Sequence, residues 1–277
     1  MDDIKELSLG KEVEYLDQYD KSILVGVPRD IARNEIKLSK KLPFNGVDVW
    51  NCYEVSWLNK KGKPCAKIIQ FIVPADSKFL IESKSVKLYL NSLNGSCFEE
   101  DSEVQRLIQK DFTEIAQKNV VVLIKNLEEF YATPLSLFSG VNIDNLDVEI
   151  KDYQVNKDLL QLSDDAEIIT ETLTSNLLKS NCLITNQPDW ASVQIKYTGR
   201  EIDHKSLLRY IISFRKHNEF HEQCVEHMFK DIMEQCSPEE LTIHAKYTRR
   251  GGVDINPFRT TLDLKDVTIN RAREVRQ

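Results

Sequence analysis

A repeated set of residues is the feature that most constrains the fold of this chain. A short pattern in residues 84–92 recurs at an offset of 121 residues, from 84 to 205, with its spacing kept. Two further residues recur at an offset larger by one. The matched pairs are Lys84 and Lys205, Ser85 and Ser206, Tyr89 and Tyr210, Ser92 and Ser213, Phe98 and Phe220, and Glu100 and Glu222. Such self-similarity predicts a duplicated module.

The order of the predicted elements favours the same interpretation. Apolar spacing predicts strand, strand, helix, helix and strand in the first half, at 50–58, 66–73, 79–92, 102–117 and 120–125. In the second half it predicts strand, helix, helix and strand, at 193–197, 205–213, 219–235 and 241–247. We therefore predict an α+β chain of two tandem modules, 1–142 and 143–277, joined in the polar, acidic stretch near 142–165.

Composition excludes several classes of protein. The 277 residues are 41% hydrophobic and 29% charged, enough for one large domain or two smaller ones. A net charge of -7 argues against sequence-independent nucleic-acid binding, which needs Lys and Arg to neutralise phosphates. Apolar runs such as 120–124 are too short to span a membrane, and the acidic residues 1–6 lack the order of a signal peptide. We expect a cytoplasmic protein whose six cysteines, which form no CxxC pair, are free thiols.

Residues 178–190 contain a thiol and a carboxylate that could act together. Cys182 precedes Asp189 by seven residues, and Pro188 between them predicts an irregular segment that leads into a strand. A nucleophile and a proton carrier placed in this way are typical of covalent catalysis. The alternative is that Cys182 is a small buried residue and that Asp189 forms a turn.

Two predicted helix starts could bind a ligand. At 220–222 the carboxylate of Glu222, beside His221, could accept two parallel N–H bonds from a guanine-like edge, or it could simply favour the helix start. At 81–85 the hydroxyls, the free amide N–H groups and Lys84 suit a phosphate, and Glu82 would face a base. A capped helix with solvated charges is the alternative there.

The segment 249–259 could bind a phosphorylated cofactor. Gly251 and Gly252 allow close approach of the backbone, and three arginines supply positive charge, Arg249, Arg250 and Arg259. A surface turn is the alternative. The chain has no Gly-x-Gly-x-x-Gly motif and no P-loop. Cys182, His221 and Cys224 could instead be three zinc ligands, which keeps a metallohydrolase as a competing hypothesis.

Four segments resemble a known family. Residues 171–190, 210–226 and 247–257 look like the long, two-module form of the NADPH-dependent 7-cyano-7-deazaguanine reductases, and Glu82-Ser83-Lys84-Ser85 is similar to that family's short signature. The resemblance implies a tunnelling fold, in which each module has antiparallel strands with two helices between strands two and three. It also implies reduction of a nitrile to a primary amine in queuosine biosynthesis.

The resemblance also implies roles for individual residues. Cys182 would form a thioimide with the nitrile, Asp189 would donate a proton, and His221 would join them in catalysis or hold the substrate. The substrate-binding residues would be Ile81, Glu82, Ser83, His221 and Glu222. NADPH would be bound by Ser83, Lys84, Arg250 and Gly251, and no residue is assigned to a metal.

The resemblance further implies a homodimer that acts on a small deazaguanine base, without direct binding of nucleic acid or membrane. Two other functions stay open. One is a zinc-dependent hydrolase of purine nucleotides with the same superfold, and the other is a base-binding module without catalysis.

Overall fold

The computed structural model describes residues 16–131, 134–151 and 153–277, so the acidic N-terminal residues 1–6 lie outside the described part. The chain divides into two compact units. Unit 1 contains the described residues of Met1–Asn34, Asp48–Pro134 and Arg249–Asp254. Unit 2 contains those of Glu35–Val47, Leu135–Thr248 and Ile255–Gln277.

Unit 1 is organised around two long strands. Its elements are β1 (Gly26–Pro28), α1 (Arg29–Glu35), β2 (Asn45–Leu58), β3 (Pro64–Pro74), β4 (Phe79–Ile81), α2 (Ser83–Ser92), α3 (Asp101–Ala116), β5 (Val121–Lys125) and α4 (Leu127–Tyr131), with the end of α1 and the start of β2 assigned to unit 2. β3 lies between β2 and β5, and β1 pairs antiparallel with β4. Asn59 closes the β2–β3 turn, because its side-chain oxygen accepts hydrogen bonds from the N–H groups of Lys61 and Lys63.

The core of unit 1 lies along one face of α3. Helical spacing places Val104, Ile108 and Phe112 on that face, and all three are fully buried. The Phe112 ring packs on Phe71 of β3, with centroids 4.7 Å apart, and on Tyr89 of α2, with centroids 5.5 Å apart. These contacts hold α2, and therefore the residues at its start, against the rest of the unit.

Unit 2 repeats this arrangement with longer strands. Its elements are β6 (Val141–Asn142), β7 (Ile168–Asn181), β8 (Pro188–Arg200), α5 (His204–Ser213), α6 (His221–Cys236), β9 (Glu240–Tyr247) and β10 (Val253–Thr260), with the first two residues of β10 assigned to unit 1. The strand order is β10-β9-β8-β7-β6. Neighbouring strands are antiparallel except β6 and β7, which are parallel. The buried face of α6 includes Cys224, Met228 and Ile232, at helical spacing.

The predicted fold class is confirmed. Two helices, α2 with α3 and α5 with α6, lie between the second and third main strands of each half, which is the order of a tunnelling fold. Each unit includes short segments from the other half of the chain. The modules 1–142 and 143–277 therefore remain a proposal about how the chain was duplicated. None of the helices in the described ranges is long and apolar enough to cross a membrane.

The irregular segment predicted within 178–190 is present but shorter than expected, because only residues 182–187 form a turn. β7 runs to Asn181, β8 begins at Pro188, and these two residues pair across a hairpin. Pro is tolerated as the first residue of a strand, where a missing N–H costs little. A β-bulge between Ser175 and Leu178 interrupts the alternation that would have indicated β7.

Two other strands also differ from the prediction. Every residue of β10 is buried, so this strand has no alternating pattern, and Pro257 inside it favours a loop. Phe79–Ile81 was expected to open a helix but pairs with Gly26–Pro28 as a strand. The helix begins only at Ser83, after Glu82 caps it.

Candidate active site

Cys182 lies in the turn of the β7–β8 hairpin, directly after β7. Its backbone N–H donates a hydrogen bond to the Gln187 carbonyl oxygen (2.8 Å), and its carbonyl accepts one from the Asn186 N–H (3.0 Å). Asn186 closes the turn in the left-handed region, with a φ of 54°. The residue is only 9% exposed, so the thiol is held on an ordered turn and largely shielded from water.

The register of the hairpin places Asp189 near Cys182. Ser180 pairs with Asp189, and the Cys182 N–H continues the ladder by one residue. Alternate residues of a strand face the same side, and cross-strand partners share a face. Cys182, Ser180 and Asp189 therefore belong to one face of the hairpin, on which Asp189 is almost fully buried.

The first residue of α6 brings an imidazole to this carboxylate. His221 Nε2 lies 3.3 Å from Asp189 Oδ2. The imidazole stacks on the ring of Tyr247, the last residue of β9, with centroids 3.8 Å apart and planes 5° from parallel. This stacking fixes the ring plane and keeps Nε2 directed at Asp189. The other ring nitrogen, Nδ1, is buried and has no hydrogen-bond partner within the described residues.

Cys224 lies behind this pair and is chemically different from Cys182. It is fully buried, and burial raises the pKa of its thiol well above the ordinary value, with Tyr247 and Ser180 as polar neighbours. A thiol with a raised pKa stays protonated at neutral pH and is a weak nucleophile. Within the described ranges, the ligand atoms of Cys182, His221 and Cys224 do not all lie within 4.8 Å of one another. The zinc-hydrolase hypothesis therefore lacks the ligand set on which it depended.

Glu222 follows His221 in the first turn of α6 and is buried. The side chain of Gln223 accepts a hydrogen bond from the Phe220 N–H (3.2 Å), which closes the start of the helix. A buried carboxylate in a first turn is favoured by the helix dipole. Unit 2 thus places Cys182 and Asp189 on one hairpin and His221 and Glu222 at one helix start, and the contact between Asp189 and His221 joins these two elements.

In unit 1, the predicted residues 81–84 form the junction of β4 and α2. The Glu82 carboxylate caps the helix, accepting hydrogen bonds from the N–H groups of Lys84 (2.8 Å) and Ser85 (2.7 Å). Two amide N–H groups that were expected to be free for a phosphate are therefore occupied by Glu82. Ile81 ends β4 and is buried, and Ser83 begins α2 with partial exposure.

The turn that contains Gly251 also lies beside α2 in unit 1. Arg250 and Val253 exchange backbone hydrogen bonds of 2.9 and 3.2 Å, and Gly251 has a φ of 58°. A Cβ atom on Gly251 would lie 3.3 Å from the side chain of Lys87, which follows Lys84 by one turn of α2. The basic turn and the basic start of α2 are thus adjacent within unit 1.

Tyr247 is a site residue that the sequence did not indicate. The alternating pattern at 241–247 predicts a strand and gives no sign of a partner for the ring of its last residue. The stacking depends on β9 and the start of α6 meeting in the folded unit. Contacts of this kind leave no local pattern in a sequence.

Comparison with protein families gives two matches. Residues 15–124 match the N-terminal family described as "Nitrile reductase, 7-cyano-7-deazaguanine-reductase N-term", and residues 188–266 match the family described as "QueF-like protein". The first match includes residues 81–84, and the second includes Asp189, His221, Glu222, Arg250 and Gly251. Cys182 lies between the two matches.

One solved structure similar to this chain is the archaeosine synthase QueF-Like in the apo form. The two are 18% identical, the alignment covers 35% of this chain and 94% of that chain, and the TM-score is 0.28. The family matches support an enzyme related to deazaguanine in the queuosine pathway. Their order along one chain identifies this protein as a member of the QueF family in its two-module form.

Proposed function

We propose that this chain is an NADPH-dependent nitrile reductase that converts 7-cyano-7-deazaguanine into 7-aminomethyl-7-deazaguanine for queuosine biosynthesis, through a covalent thioimide on Cys182. The family supports an enzyme of this class. The observation that carries the proposal is the 3.3 Å contact between Asp189 and His221 on the hairpin that bears Cys182.

Cys182 would form the covalent bond to the substrate. The thiolate sulfur adds to the electrophilic nitrile carbon, a new C–S bond forms, and one electron pair of the C≡N bond moves to nitrogen. The resulting thioimide is easier to reduce than the nitrile. Because Cys182 is mostly buried, the adduct would be protected from hydrolysis by bulk water.

Asp189 and His221 would move the protons. The nitrile nitrogen must gain a proton as the sulfur adds, and Asp189 belongs to the same hairpin face as Cys182. The His221 imidazole can take the proton lost by the thiol and return it to the Asp189 carboxylate, which it contacts at 3.3 Å. Addition of the first hydride to the thioimide carbon would expel the Cys182 thiolate and leave an imine. Addition of the second hydride to the imine carbon, with a proton on nitrogen, would give the amine.

Glu222 would bind the base in unit 2. It is buried beside His221, and a carboxylate can accept two parallel N–H bonds from a guanine-like edge. The buried Nδ1 atom of His221 offers one further polar contact. The resemblance implies that Glu82, Ile81 and Ser83 also bind the substrate. The helix-capping bonds of Glu82 neither support nor oppose that role.

The residues assigned to NADPH fit a polyanionic cofactor. Two molecules of NADPH, bound one after the other, would each supply one hydride ion. Lys84, Lys87 and Arg250 gather positive charge in unit 1, and the left-handed Gly251 lets a ligand approach the backbone. Ser83 adds a hydroxyl at the start of the same helix. These groups would bind the phosphates and orient the cofactor.

The test of this proposal is the covalent adduct. Untagged protein is mixed with the nitrile in the absence of NADPH, and its intact mass is measured. We expect a gain equal to one nitrile per chain, located on a peptide that contains Cys182, and no gain in Cys182→Ala. Cys65→Ala, which removes a partly exposed thiol from the β2–β3 hairpin, is the matched control and should keep the adduct.

Absence of the adduct in wild-type protein, or an adduct that survives in Cys182→Ala, would contradict the mechanism. A base-binding module would bind the nitrile with equal affinity in both proteins and would not oxidise NADPH. A hydrolase would release product without NADPH. The cytoplasmic location and the homodimer remain predictions, to be checked by fractionation and by light scattering.

A further inference from the structure

A second cluster of reactive side chains lies in unit 2, at the entrance to α6 and on its first turns. Glu219 is 8% exposed and lies between two imidazoles. His217 Nε2 is 3.1 Å from Glu219 Oε2, and His227 Nδ1 is 3.3 Å from Glu219 Oε1. One ligand atom from each of the three residues can be chosen so that all lie within 4.8 Å of one another.

The closest contact in this cluster joins two buried atoms that are not aligned for a hydrogen bond. Although His217 Nε2 and Glu219 Oε2 are 3.1 Å apart, both atoms are buried and neither has a hydrogen-bond partner within the described residues. Two buried polar atoms without a bond are costly. A shared cation would satisfy both, since ligand atoms around Zn²⁺ with bonds of about 2.0–2.1 Å lie about 3.3 Å apart in a tetrahedron.

The second ring nitrogen of His227 has the partner that a metal-binding histidine usually has. His227 Nε2 faces Asp231 Oδ2 at 3.6 Å, one turn further along α6. Asp231 is held in place by a hydrogen bond from the Tyr210 hydroxyl (2.8 Å). Histidine ligands commonly donate their other N–H to a carboxylate, which fixes the tautomer so that the remaining nitrogen carries a lone pair.

We propose that His217, Glu219 and His227 bind a divalent transition-metal cation of the Zn²⁺ type. Two imidazoles and one carboxylate form a ligand set that Zn²⁺ and Co²⁺ accept, with water in the remaining position. The side chain of His217 is 27% exposed and that of His227 is 17% exposed, so the ion can enter from solvent.

The cation would have a structural role next to the candidate active site. The His217 carbonyl accepts a hydrogen bond from the Asn181 N–H (2.8 Å), and the Glu219 N–H donates one to the Asn181 carbonyl (3.2 Å). Asn181 is the residue before Cys182, and Glu219 precedes His221 by two residues. Fixing this cluster would therefore fix both the end of β7 and the start of α6. The proposal does not depend on the nitrile reductase mechanism.

Titration with the metal alone tests this proposal. Untagged protein, treated with chelator and dialysed, is titrated with Co²⁺, and the visible absorption of the bound ion is followed. We expect saturation at one Co²⁺ per chain. His227→Gln and Glu219→Gln should each lower the affinity at least tenfold, whereas Cys182→Ala should keep it and no thiolate-to-cobalt band should appear.

His204→Gln is the matched control, because His204 also contacts a carboxylate in unit 2, with Nε2 3.1 Å from Glu171, but forms no group of three possible ligands with other residues that the structure describes. It should bind Co²⁺ as wild type does. Thermal unfolding is a second measurement, which remains informative if a variant is less stable. Zn²⁺ should raise the unfolding midpoint of wild-type protein and of His204→Gln, but not that of His227→Gln. No saturable binding to wild type, or equal binding by His227→Gln and Glu219→Gln, would overturn the proposal.

Discussion

The two units begin their first long helix with the same hydrogen bonds. In unit 1 the Ser85 hydroxyl donates to the carbonyl of Glu82 (2.7 Å), and the Glu82 side chain caps α2. In unit 2 the Ser206 hydroxyl donates to the carbonyl of Asp203 (2.7 Å), and the Asp203 side chain caps α5. Each serine also accepts a backbone N–H from an earlier segment of its own unit.

The agreement extends to the second helix of each pair. Tyr89 of α2 donates to Asp111 of α3 (2.7 Å), and Tyr210 of α5 donates to Asp231 of α6 (2.8 Å). All four residues are buried. The repeated serines and tyrosines of the sequence thus make equivalent contacts in both units, which supports duplication as the origin of the two halves.

The hairpins before these helices differ in chemistry. The second strand starts with Pro64-Cys65 in unit 1 and with Pro188-Asp189 in unit 2, and the turn of unit 2 carries Cys182. All five histidines of the sequence belong to unit 2. The buried contacts between helices are therefore shared by both units, whereas the five histidines and the hairpin with Cys182 and Asp189 belong to unit 2 alone.

The largest expected effect separates the two hairpins. Asp189→Asn keeps the size of the side chain but cannot donate a proton, so we expect kcat for NADPH oxidation with the nitrile to fall by about 10²- to 10⁴-fold. Cys65→Ala, at the corresponding position of unit 1, should stay within twofold of wild type. Steady-state kinetics of NADPH oxidation with the nitrile measures kcat for both variants and for wild type. Equal rates for wild type and Asp189→Asn would remove the proton-donating role and break the functional contrast between the hairpins.

A second effect concerns the histidines of unit 2. Full burial lowers the pKa of His244 to about 3, with Lys246 adding to the effect. The unfolded chain binds a proton at His244 below about pH 6.5, whereas the folded chain does not, so this contribution to stability is complete above pH 6.5 and is lost as the pH falls towards 3.

We therefore expect His244 to make the free energy of unfolding about 2 kcal/mol smaller at pH 5 than at pH 7, since each pH unit in this window is worth about 1.4 kcal/mol. Urea titrations at the two pH values measure the difference, and chelator keeps metal out of the comparison. His244→Gln should make the difference smaller by about that amount. An unchanged pH dependence in this variant would show that His244 is protonated in the folded protein.

Features that depend on residues close in the sequence could be predicted, and features that depend on distant residues could not. The helices at 205–213 and 219–235 were predicted within two residues of α5 and α6, because helical spacing and capping residues are local signals. The equivalence of Tyr89 and Tyr210 could also be predicted, because the two residues occupy matching positions of the repeated pattern. The proximity of Asp189 to Cys182 was expected, although the hairpin that produces it was not.

The contacts that could not be predicted join segments distant in the sequence. The stacking of Tyr247 on His221 requires β9 to end beside the start of α6. The convergence of His217 and His227 on Glu219 requires the chain to enter α6 at one particular angle. Glu82 illustrates a local competition, because the same carboxylate can cap its own helix or face a ligand, and only the folded structure reveals the capping bonds.

A third prediction compares the two buried tyrosine–aspartate pairs. In Tyr89→Phe, Asp111 keeps the hydrogen bond from Tyr19 (2.8 Å). In Tyr210→Phe, Asp231 keeps only a longer contact of 3.6 Å with His227 among those described. We expect the free energy of unfolding to fall by about 1 kcal/mol in the first variant and by about 2 kcal/mol in the second.

Urea titration in the presence of chelator measures both losses without interference from bound metal. Equal losses would mean that Tyr19 does not compensate for Tyr89, and the two pairs would then be energetically alike. Tyr19→Phe is the control, since it leaves Tyr89 bonded to Asp111 and should cost about as much as Tyr89→Phe.

The smallest effect concerns the helix caps. Glu82 accepts two backbone N–H groups and Asp203 accepts one, so Glu82→Ala should cost about 1 kcal/mol and Asp203→Ala about 0.5 kcal/mol. Thermal and urea unfolding measure both. The reverse order would mean that the second hydrogen bond of Glu82 adds nothing to stability.

Glu82→Gln then separates capping from ligand binding. The amide keeps an oxygen that can accept from a backbone N–H, so stability should change by less than about 0.5 kcal/mol. It loses the negative charge that a guanine-like edge prefers, so KM for the nitrile should rise about tenfold or more if Glu82 also binds the base. Asp203→Asn, at the equivalent cap of unit 2, should leave KM unchanged. A KM that stays the same in Glu82→Gln would make Glu82 a cap alone, and the caps of the two units would then be equivalent in function as well as in structure.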